Sequence, residues 1–444
     1  MTARMTSTPQ TLEVAVADLR PGLFVQLELS WIDHPFPSSR FLLKNPAQVQ
    51  LLRELGLRHV TVVPGRSDPA ALAALAQPRS APPPRPAAVA PAAAPCATER
   101  PAPADGLQAA QQRHRELLQA QQASLARSQR LHGKAVQTWE QLAREALRDP
   151  VLAAEAAQDL AGQLLDELQG GQDTTIRVLS EAAGTGAVQH AINVGVLSLM
   201  LARSAGVEGD ELRQVATGAL LHDIGKLLLP DVLRNVTSDT SALAVRARRE
   251  HVTQGIRLGM TMGLPAVALR IIAQHHERRD GSGLPQGMTG ENISLPARVV
   301  GIADTYDKLC NPRQGGPGHT PHEAQALMYA QLRDSLDERL LGLFVRMIGV
   351  YPPGSVVELS DGRLAMVMSS QPQQPLKPCV LVHDPAVPRE EALLVDLLRT
   401  PALGIRRSLH PQHLSRSTLD YLSPAQRVHY YFAQGLAQPA LAQA

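Results

Sequence analysis

The spacing of hydrophobic positions changes several times along this chain, and each change marks a boundary. Leu23-Phe24-Val25-Gln26-Leu27-Glu28-Leu29 partly alternates, which predicts a strand. Gln48 to Gly56 reads as a short helix and His59-Val60-Thr61-Val62-Val63 as a closing strand, so residues 11–68 form a small α+β domain. An Ala/Pro tract follows from Ala70 through Ala104, with Pro82-Pro83-Pro84 at its centre. Proline removes backbone donors and opposes helix, so residues 69–105 read as a semi-extended, low-complexity linker.

Gln108 to Arg148 is rich in Gln, Ala, Leu, Glu and Arg, all good helix formers, and lies within a helical connector at 106–171. Its stripe of Leu117, Leu118, Leu125, Leu131, Val136, Trp139 and Leu142 keeps an imperfect period. A broken heptad register favours packing against the following domain over a dimerising or signal-carrying helix. From His190 the run through Ala202 is almost continuously apolar, and its length and alanine content predict a buried helix. A second helix begins at Asp210-Glu211 and is stopped by Pro230. A third surrounds His251, a fourth runs from Ala266 to Gln274, and a fifth starts near Leu295-Pro296-Ala297. After Val350 the period becomes two. Gly354–Ser360 and Arg363–Met368 flank Asp361-Gly362, a type I′ hairpin signal. Cys379–Val382 and Ala392–Val395 add two expected strands, and the tail from Ser415 reads as helix. The expected fold is mainly α: an all-helical metal-binding bundle at 172–350, the N-terminal α+β domain, and a C-terminal β subdomain with a helical tail at 351–444.

Chemistry gathers in the bundle. His222-Asp223 sits between Ala219-Leu220-Leu221 and Ile224, with Leu227-Leu228-Leu229 beyond. An ionised aspartate buried there unpaired costs several kcal/mol, so it needs a partner. His190, His251, His275-His276 and Asp304 recur at intervals of a helix and a loop. Imidazole nitrogens and carboxylate oxygens hold divalent metals, and one or two donors from each of five helices would build a metal cavity. Lys226 beside such a two-metal site suits hydrolysis of a phosphate ester. Scattered histidines such as His59, His114 and His383 carry no such pattern and read as surface or satisfied core residues.

His222-Asp223-Ile224-Gly225-Lys226, then His275-His276-Glu277-Arg278-Arg279-Asp280-Gly281-Ser282-Gly283-Leu284-Pro285, and then Ile302-Ala303-Asp304-Thr305-Tyr306-Asp307 resemble the HD-GYP family. These bacterial enzymes are a branch of the HD metal-dependent phosphohydrolases and hydrolyse cyclic di-GMP; the resemblance spans Ala187 to Val350. It implies that His190, His222, Asp223, His251, His275, His276 and Asp304 are metal ligands and that Lys226 faces the scissile phosphate. It further implies that Asp223 bridges two ions and that a hydroxide held between them attacks phosphorus, giving pGpG or GMP. Two departures stand out. Leu284 replaces the tyrosine of the signature, which bears on the loop's shape and its contacts with substrate. Gly186 stands where some relatives place a carboxylate that recruits a third metal, so two ions are expected. Five histidines with two aspartates suit iron or manganese and allow zinc. Arg278, Arg279 and Arg313 offer planar forks for phosphate or guanine, and each reads equally well as a solvated loop residue. Trp31-Ile32-Asp33-His34-Pro35-Phe36 resembles a small domain often found ahead of HD-GYP modules.

Composition narrows the alternatives. With 43 basic against 41 acidic side chains the chain carries no broad nucleic-acid footprint. Cys96, Cys310 and Cys379 show neither disulfide nor zinc-finger spacing, which fits a reducing cytoplasm. No apolar run is long enough to span a bilayer, and Met1 to Thr11 lacks a signal-peptide core. Expected partners are cyclic di-GMP, a second copy of the chain through its helices, and a diguanylate cyclase or other signalling protein. Two other readings stay open: a weak or inactive receptor or scaffold for cyclic di-GMP, and an HD hydrolase acting on another nucleotide.

Overall fold

The computed structural model describes residues 11–27, 40–43, 49, 52–53, 59–73, 75, 104–170, 174–179, 186–234, 241–312, 318–424 and 427–433. The chain divides into two compact units at Arg113/His114. The first is an antiparallel sheet of β1 (Leu12–Ala15), β2 (Phe24–Gln26), β3 (Arg40–Leu42) and β4 (His59–Val62) in the order β1-β4-β2-β3. Leu23, Val25, Leu43, Leu52, Val60 and Val62 form its core. Of the expected Gln48–Gly56 helix, Val49, Leu52 and Arg53 are described and helical; Trp31 to Phe36 lie outside the described residues. The expected linker does not begin extended. Pro69–Ala73 is a short helix, because Pro sits at its first turn, the Asp68 carboxylate accepts from Ala70 N at 2.9 Å, and alanines follow.

Helices dominate the second unit. Those of seven residues or more are α1 (Ala104–Glu145), α2 (Pro150–Gln169), α3 (Gly186–Ser204), α4 (Gly209–Leu221), α5 (Ala242–Thr261), α6 (Ala266–Gln274), α7 (Leu295–Cys310), α8 (Pro321–Gln331), α9 (Glu338–Ile348) and α10 (Arg416–Leu422). Every position of α3 from Val188 to Ala202 is buried, so it is the central rod against which α4 and α7 pack. The connector packs as well. Ala135, Val136, Trp139 and Leu142 of α1 join the main core. Trp139 Nε1 donates to Leu220 O at 3.0 Å and so fixes the end of α4.

The β structure corrects four sequence expectations. Among the described residues the tail is helical over α10; His429–Ala433 is a strand, β11, buried at all five positions. Tyr430-Tyr431-Phe432 are aromatic strand formers, and they find an edge in β5 (Thr175–Leu179), an unforeseen strand just ahead of the bundle. Residues 172–350 are therefore not all helical: their first segment belongs to a sheet with β6 (Val356–Leu359), β7 (Leu364–Ser369), β8 (Cys379–Val382), β9 (Val395–Asp396), β10 (Ile405–Leu409) and β11. The hairpin of β6 and β7 forms as expected, with Val357 opposite Ala365, but its turn is not type I′. That type needs positive φ at both central residues, whereas only Gly362 has it, at +86°, and Gly362 N closes on Leu359 O. The expected strand at Ala392–Val395 shrinks to Val395–Asp396, since Gln121 of α1 takes the neighbouring main chain: its amide donates to Ala392 O and accepts from Leu394 N.

Gly225 sets the approach of α5 to the turn that follows α4. A Cβ there would lie 1.9 Å from His251 O and 2.4 Å from Gly255 N, both main-chain atoms that cannot yield. Gly225→Ala is expected to lose about 1–3 kcal/mol or more through overpacking. Gly342→Ala on α9, with open space around its Cβ, is expected to be neutral or slightly stabilising. Thermal denaturation of the two variants side by side measures the contrast.

Candidate metal centre

Each candidate ligand leaves a helix at a point the local sequence dictates. His190 lies on the buried rod α3. At the end of α4, His222 caps the helix, and Asp223 leaves it at φ −100° and ψ 7° before a tight 3₁₀ turn over Ile224–Leu228. That break lets two consecutive residues, which on a regular helix would diverge by about 100°, serve the same centre. His251 comes from mid-α5, His275 caps α6 with His276 just beyond, and Asp304 comes from mid-α7.

These side chains converge as two groups sharing one carboxylate. Asp223 joins His251, His275 and His276 in one group and His190 and His222 in the other, with the donor atoms of each group within 4.8 Å of one another. Oδ1 of Asp223 lies 3.4 Å from His251 Nε2 and 3.8 Å from His275 Nε2, while its Oδ2 lies 3.6 Å from both His190 Nε2 and His222 Nε2. Asp304 Oδ1 completes the second group, 3.1 Å from His190 Nε2 and 3.6 Å from His222 Nε2. Its Oδ2 faces His276 Nδ1 at 3.9 Å.

Tautomers decide whether these residues fit a metal. His251 Nδ1 bonds to Ala247 O at 2.9 Å and His275 Nδ1 to Ile272 O at 3.0 Å, so both rings carry the proton on Nδ1. Their Nε2 atoms are therefore bare lone pairs, yet they face each other at 3.5 Å. Protonation does not relieve this. Burial, aided by the nearby Lys226 ammonium, pulls His251 down to about 3. Burial and neighbouring imidazoles hold His275 and His276 well below the ordinary range. Two neutral acceptors in contact in a dry interior call for a cation between them. His222 repeats the pattern, with Nδ1 on Ala219 O at 2.7 Å and Nε2 turned to His190 Nε2 at 3.2 Å. For Asp304 burial favours the neutral acid, but Lys308, His190 and His222 outweigh it and hold the carboxyl well below its usual range. Burial likewise opposes the charge on His190, and hydrogen bonds to Asp304 and Asp307 more than restore it. His190 Nε2, between Asp304 and His222, faces the position where a divalent ion would sit.

Sequence reasoning missed the residues that orient these ligands. Asp307 Oδ2 accepts from His190 Nδ1 at 2.6 Å, and Asp307 Oδ1 accepts from Asn193 at 2.6 Å and Asn311 at 2.8 Å. Both asparagines also donate to Val428 O at 2.9 Å, and Asn193 Oδ1 accepts from Tyr430 N at 2.9 Å. Helical spacing held the signal: Asn193 is three residues from His190, Asp307 three from Asp304, and Asn311 four further on. Lys308 was also missed; its Nζ donates to Asp304 Oδ2 at 2.7 Å, as Lys226 does to Asp223.

The glycine-rich loop lies on the ligands' own main chain. Leu284 N donates to His276 O at 3.0 Å, and the buried Glu277 carboxylate accepts from Gln286 N and Met288 N at 2.7 and 2.9 Å. A Cβ on Gly283 would fall 2.1 Å from Arg278 N, so the fold-back requires glycine. Arg278 Nη2 donates to Thr305 Oγ1 at 3.0 Å beside Asp304. Arg279 is exposed, and Arg313 lies outside the described residues.

Known proteins share this arrangement of sequence. Residues 173–340 match the HD domain, 356–417 a KOW domain associated with HD domain, and 11–157 a domain of unknown function (DUF3391). A cyclic di-GMP phosphodiesterase of Pseudomonas aeruginosa is 31% identical over 377 residues, covering 83% of this chain and 84% of that protein. A cyclic di-GMP phosphodiesterase response regulator of Xanthomonas campestris is 33% identical over 149 residues, or 33% of this chain and 39% of the relative. A 3′3′-cGAMP-specific phosphodiesterase of Vibrio cholerae is 29% identical over 172 residues, or 38% of this chain and 40% of the relative. Motifs and full-length likeness agree, and this chain belongs to the HD-GYP family, a branch of the HD-domain metal-dependent phosphohydrolases.

Proposed function

We propose that this chain is a phosphodiesterase that opens cyclic di-GMP to pGpG and carries some of it on to GMP. One observation carries the reading: two groups of buried imidazoles meet across the single carboxylate of Asp223. The likeness to the Pseudomonas cyclic di-GMP phosphodiesterase supports the substrate. His251, His275 and His276 with Asp223 would hold one divalent ion, and His190 and His222 with Asp223 and Asp304 the other. Iron or manganese suits this mixture of nitrogen and oxygen donors. When bound, such a pair supplies Lewis acidity and brings the pKa of a water molecule down to about 7.

The chain's own residues do the rest. Lys226 and Lys308 each lie on a ligand carboxylate, so both ammonium groups stand at the centre. Both lysines would direct their donors to the phosphoryl oxygens of a bound substrate, where negative charge grows during attack. Arg278, held by Thr305, offers its guanidinium to the same phosphate or to a guanine edge. The loop from Gly281 to Met288 is tied to His276 and Glu277 and shapes the wall on which Leu284 stands.

The decisive assay loads the full chain anaerobically with ferrous iron or manganese and offers cyclic di-GMP and 3′3′-cGAMP in parallel, with products resolved by chromatography. Cyclic di-GMP is expected to be converted; cleavage of 3′3′-cGAMP alone, or tight binding with no product, overturns the reading. Asp223→Ala is expected to lose both bound metal, measured by elemental analysis, and activity. Lys226→Met is expected to keep its metal and lose about 10²–10³-fold in kcat. Asp307→Asn, which leaves His190 without its anionic partner, is expected to weaken metal retention by about 10–100-fold, read by competition with a chelator.

A further inference from the structure

A second enclosed space lies between the sheet and the far end of α3. It is a cavity of about 350 Å³ bounded by the ends of α2 and α3 and by β5, β7 and the segment after β9. His190 and Arg203 are thirteen residues apart on α3, roughly 20 Å at 1.5 Å per residue, so the cavity is distinct from the metal centre.

Its chemistry is two-sided. Leu168, Met200, Met347 and Leu394 give an apolar wall. Facing them are three arginines, Arg177, Arg203 and Arg399, against one acid, Asp396. Arg177 is the unusual residue. It sits on β5 with only 3% of its surface exposed, and a guanidinium stays charged even when buried. A buried charge costs several kcal/mol unless it is paired. Arg177 Nη1 has a neutral partner, Ser124 Oγ, at 3.3 Å. Its Nε has no hydrogen-bond partner among the described residues, and neither has Ser370 Oγ on the same wall. Asp396 is committed elsewhere: it accepts from Gln371 Nε2 and Leu398 N at 2.9 Å and pairs with Arg399 at 3.4 Å.

We infer that this cavity binds a small organic anion, with an acidic head against Arg177 and Ser370 and an apolar or aromatic body against Leu168, Met200 and Met347. The volume suits one compact ligand of that kind, since small-molecule sites begin at about 300 Å³. The head would supply the negative partner that Arg177 lacks, and the body would cover apolar wall that otherwise meets water. The site needs no particular substrate at the metal centre, so it stands or falls separately from the phosphodiesterase reading.

The test titrates the metal-loaded full chain with 8-anilinonaphthalene-1-sulfonate, an acidic head on an aromatic body, and with its uncharged analogue N-phenyl-1-naphthylamine. The sulfonate is expected to saturate at one site per chain, with the uncharged analogue binding at least about 10-fold more weakly, the ratio one charge-assisted hydrogen bond supplies. Arg177→Met, which removes a buried charge and keeps its volume, is expected to weaken the sulfonate by a similar factor while circular dichroism and metal content stay unchanged. Leu398→Trp, a substitution at the half-exposed rim, narrows the mouth of the cavity and is expected to weaken binding at least about 10-fold. Absence of one-to-one binding, equal binding of the uncharged analogue, or an unaltered affinity in both folded variants overturns the inference.

Discussion

Bare imidazole nitrogens repel one another when no proton or cation lies between them, and this interior sets His251 against His275 at 3.5 Å, with the bare Nε2 of His222 turned to His190 at 3.2 Å. Main-chain carbonyls fix the Nδ1 proton on three of those rings, and burial keeps His251 and His275 from taking a second one. The repulsion is therefore built in and is relieved by divalent charge. Much of the remaining architecture can be understood as the means of holding those lone pairs in place. A cavity lined this way is poor in stability until metal arrives, since the binding energy of the ion is folding energy as well.

Two devices carry that load. One is close main-chain approach: the turn carrying Gly225 lies against α5 at His251 and Gly255, which brings Asp223 and His251 into the same group of donors. The other is the network around Asp307, through which the last described strand of the chain reaches His190. Val428 O receives both Asn193 and Asn311, and β11 continues from there along β5. The bundle is thus clasped by a sheet assembled from segments on either side of it in sequence. Tyr306 OH and Tyr430 OH, 2.9 Å apart in the core, tie α7 to the same clasp.

Positive charge gathers around the centre in a pattern suited to a doubly anionic cyclic dinucleotide. Lys226, Lys308 and Arg278 all stand beside the metal ligands or a residue adjoining them. Net charge over the chain is only +2, so this is a local field and not a general basic surface. Leu284 in place of tyrosine removes one hydroxyl from the loop, but the loop's anchorage is main-chain: Leu284 N to His276 O, and the Glu277 carboxylate to Gln286 and Met288. Those bonds do not depend on the side chain at position 284.

Most of the candidate ligands stood out in the sequence because they sit at a helix end or on a strongly apolar helix, where a histidine or aspartate has no bland explanation; His251, midway along the polar α5, did not. His222-Asp223 in a run of leucines and His275-His276 at the end of Ala266–Gln274 announce themselves by local contrast. Helix positions were legible for the same reason, since the apolar period is a local property. Asp307, Asn193, Asn311 and Lys308 look like ordinary polar positions of a helix; only packing puts Asn193 opposite Asp307, from residues over a hundred apart. β5 and β11 escaped because a five-residue strand is defined by its partner, and these two partners are separated by the whole bundle. The strand expected at Ala392–Val395 failed for the converse reason, when Gln121 of α1 supplied the hydrogen bonds a neighbouring strand would have made. Local contrast and period fixed which residues could bind metal and which segments could be helices; long-range hydrogen bonds, invisible in any window of sequence, decided how the ligands are oriented and how the bundle is closed.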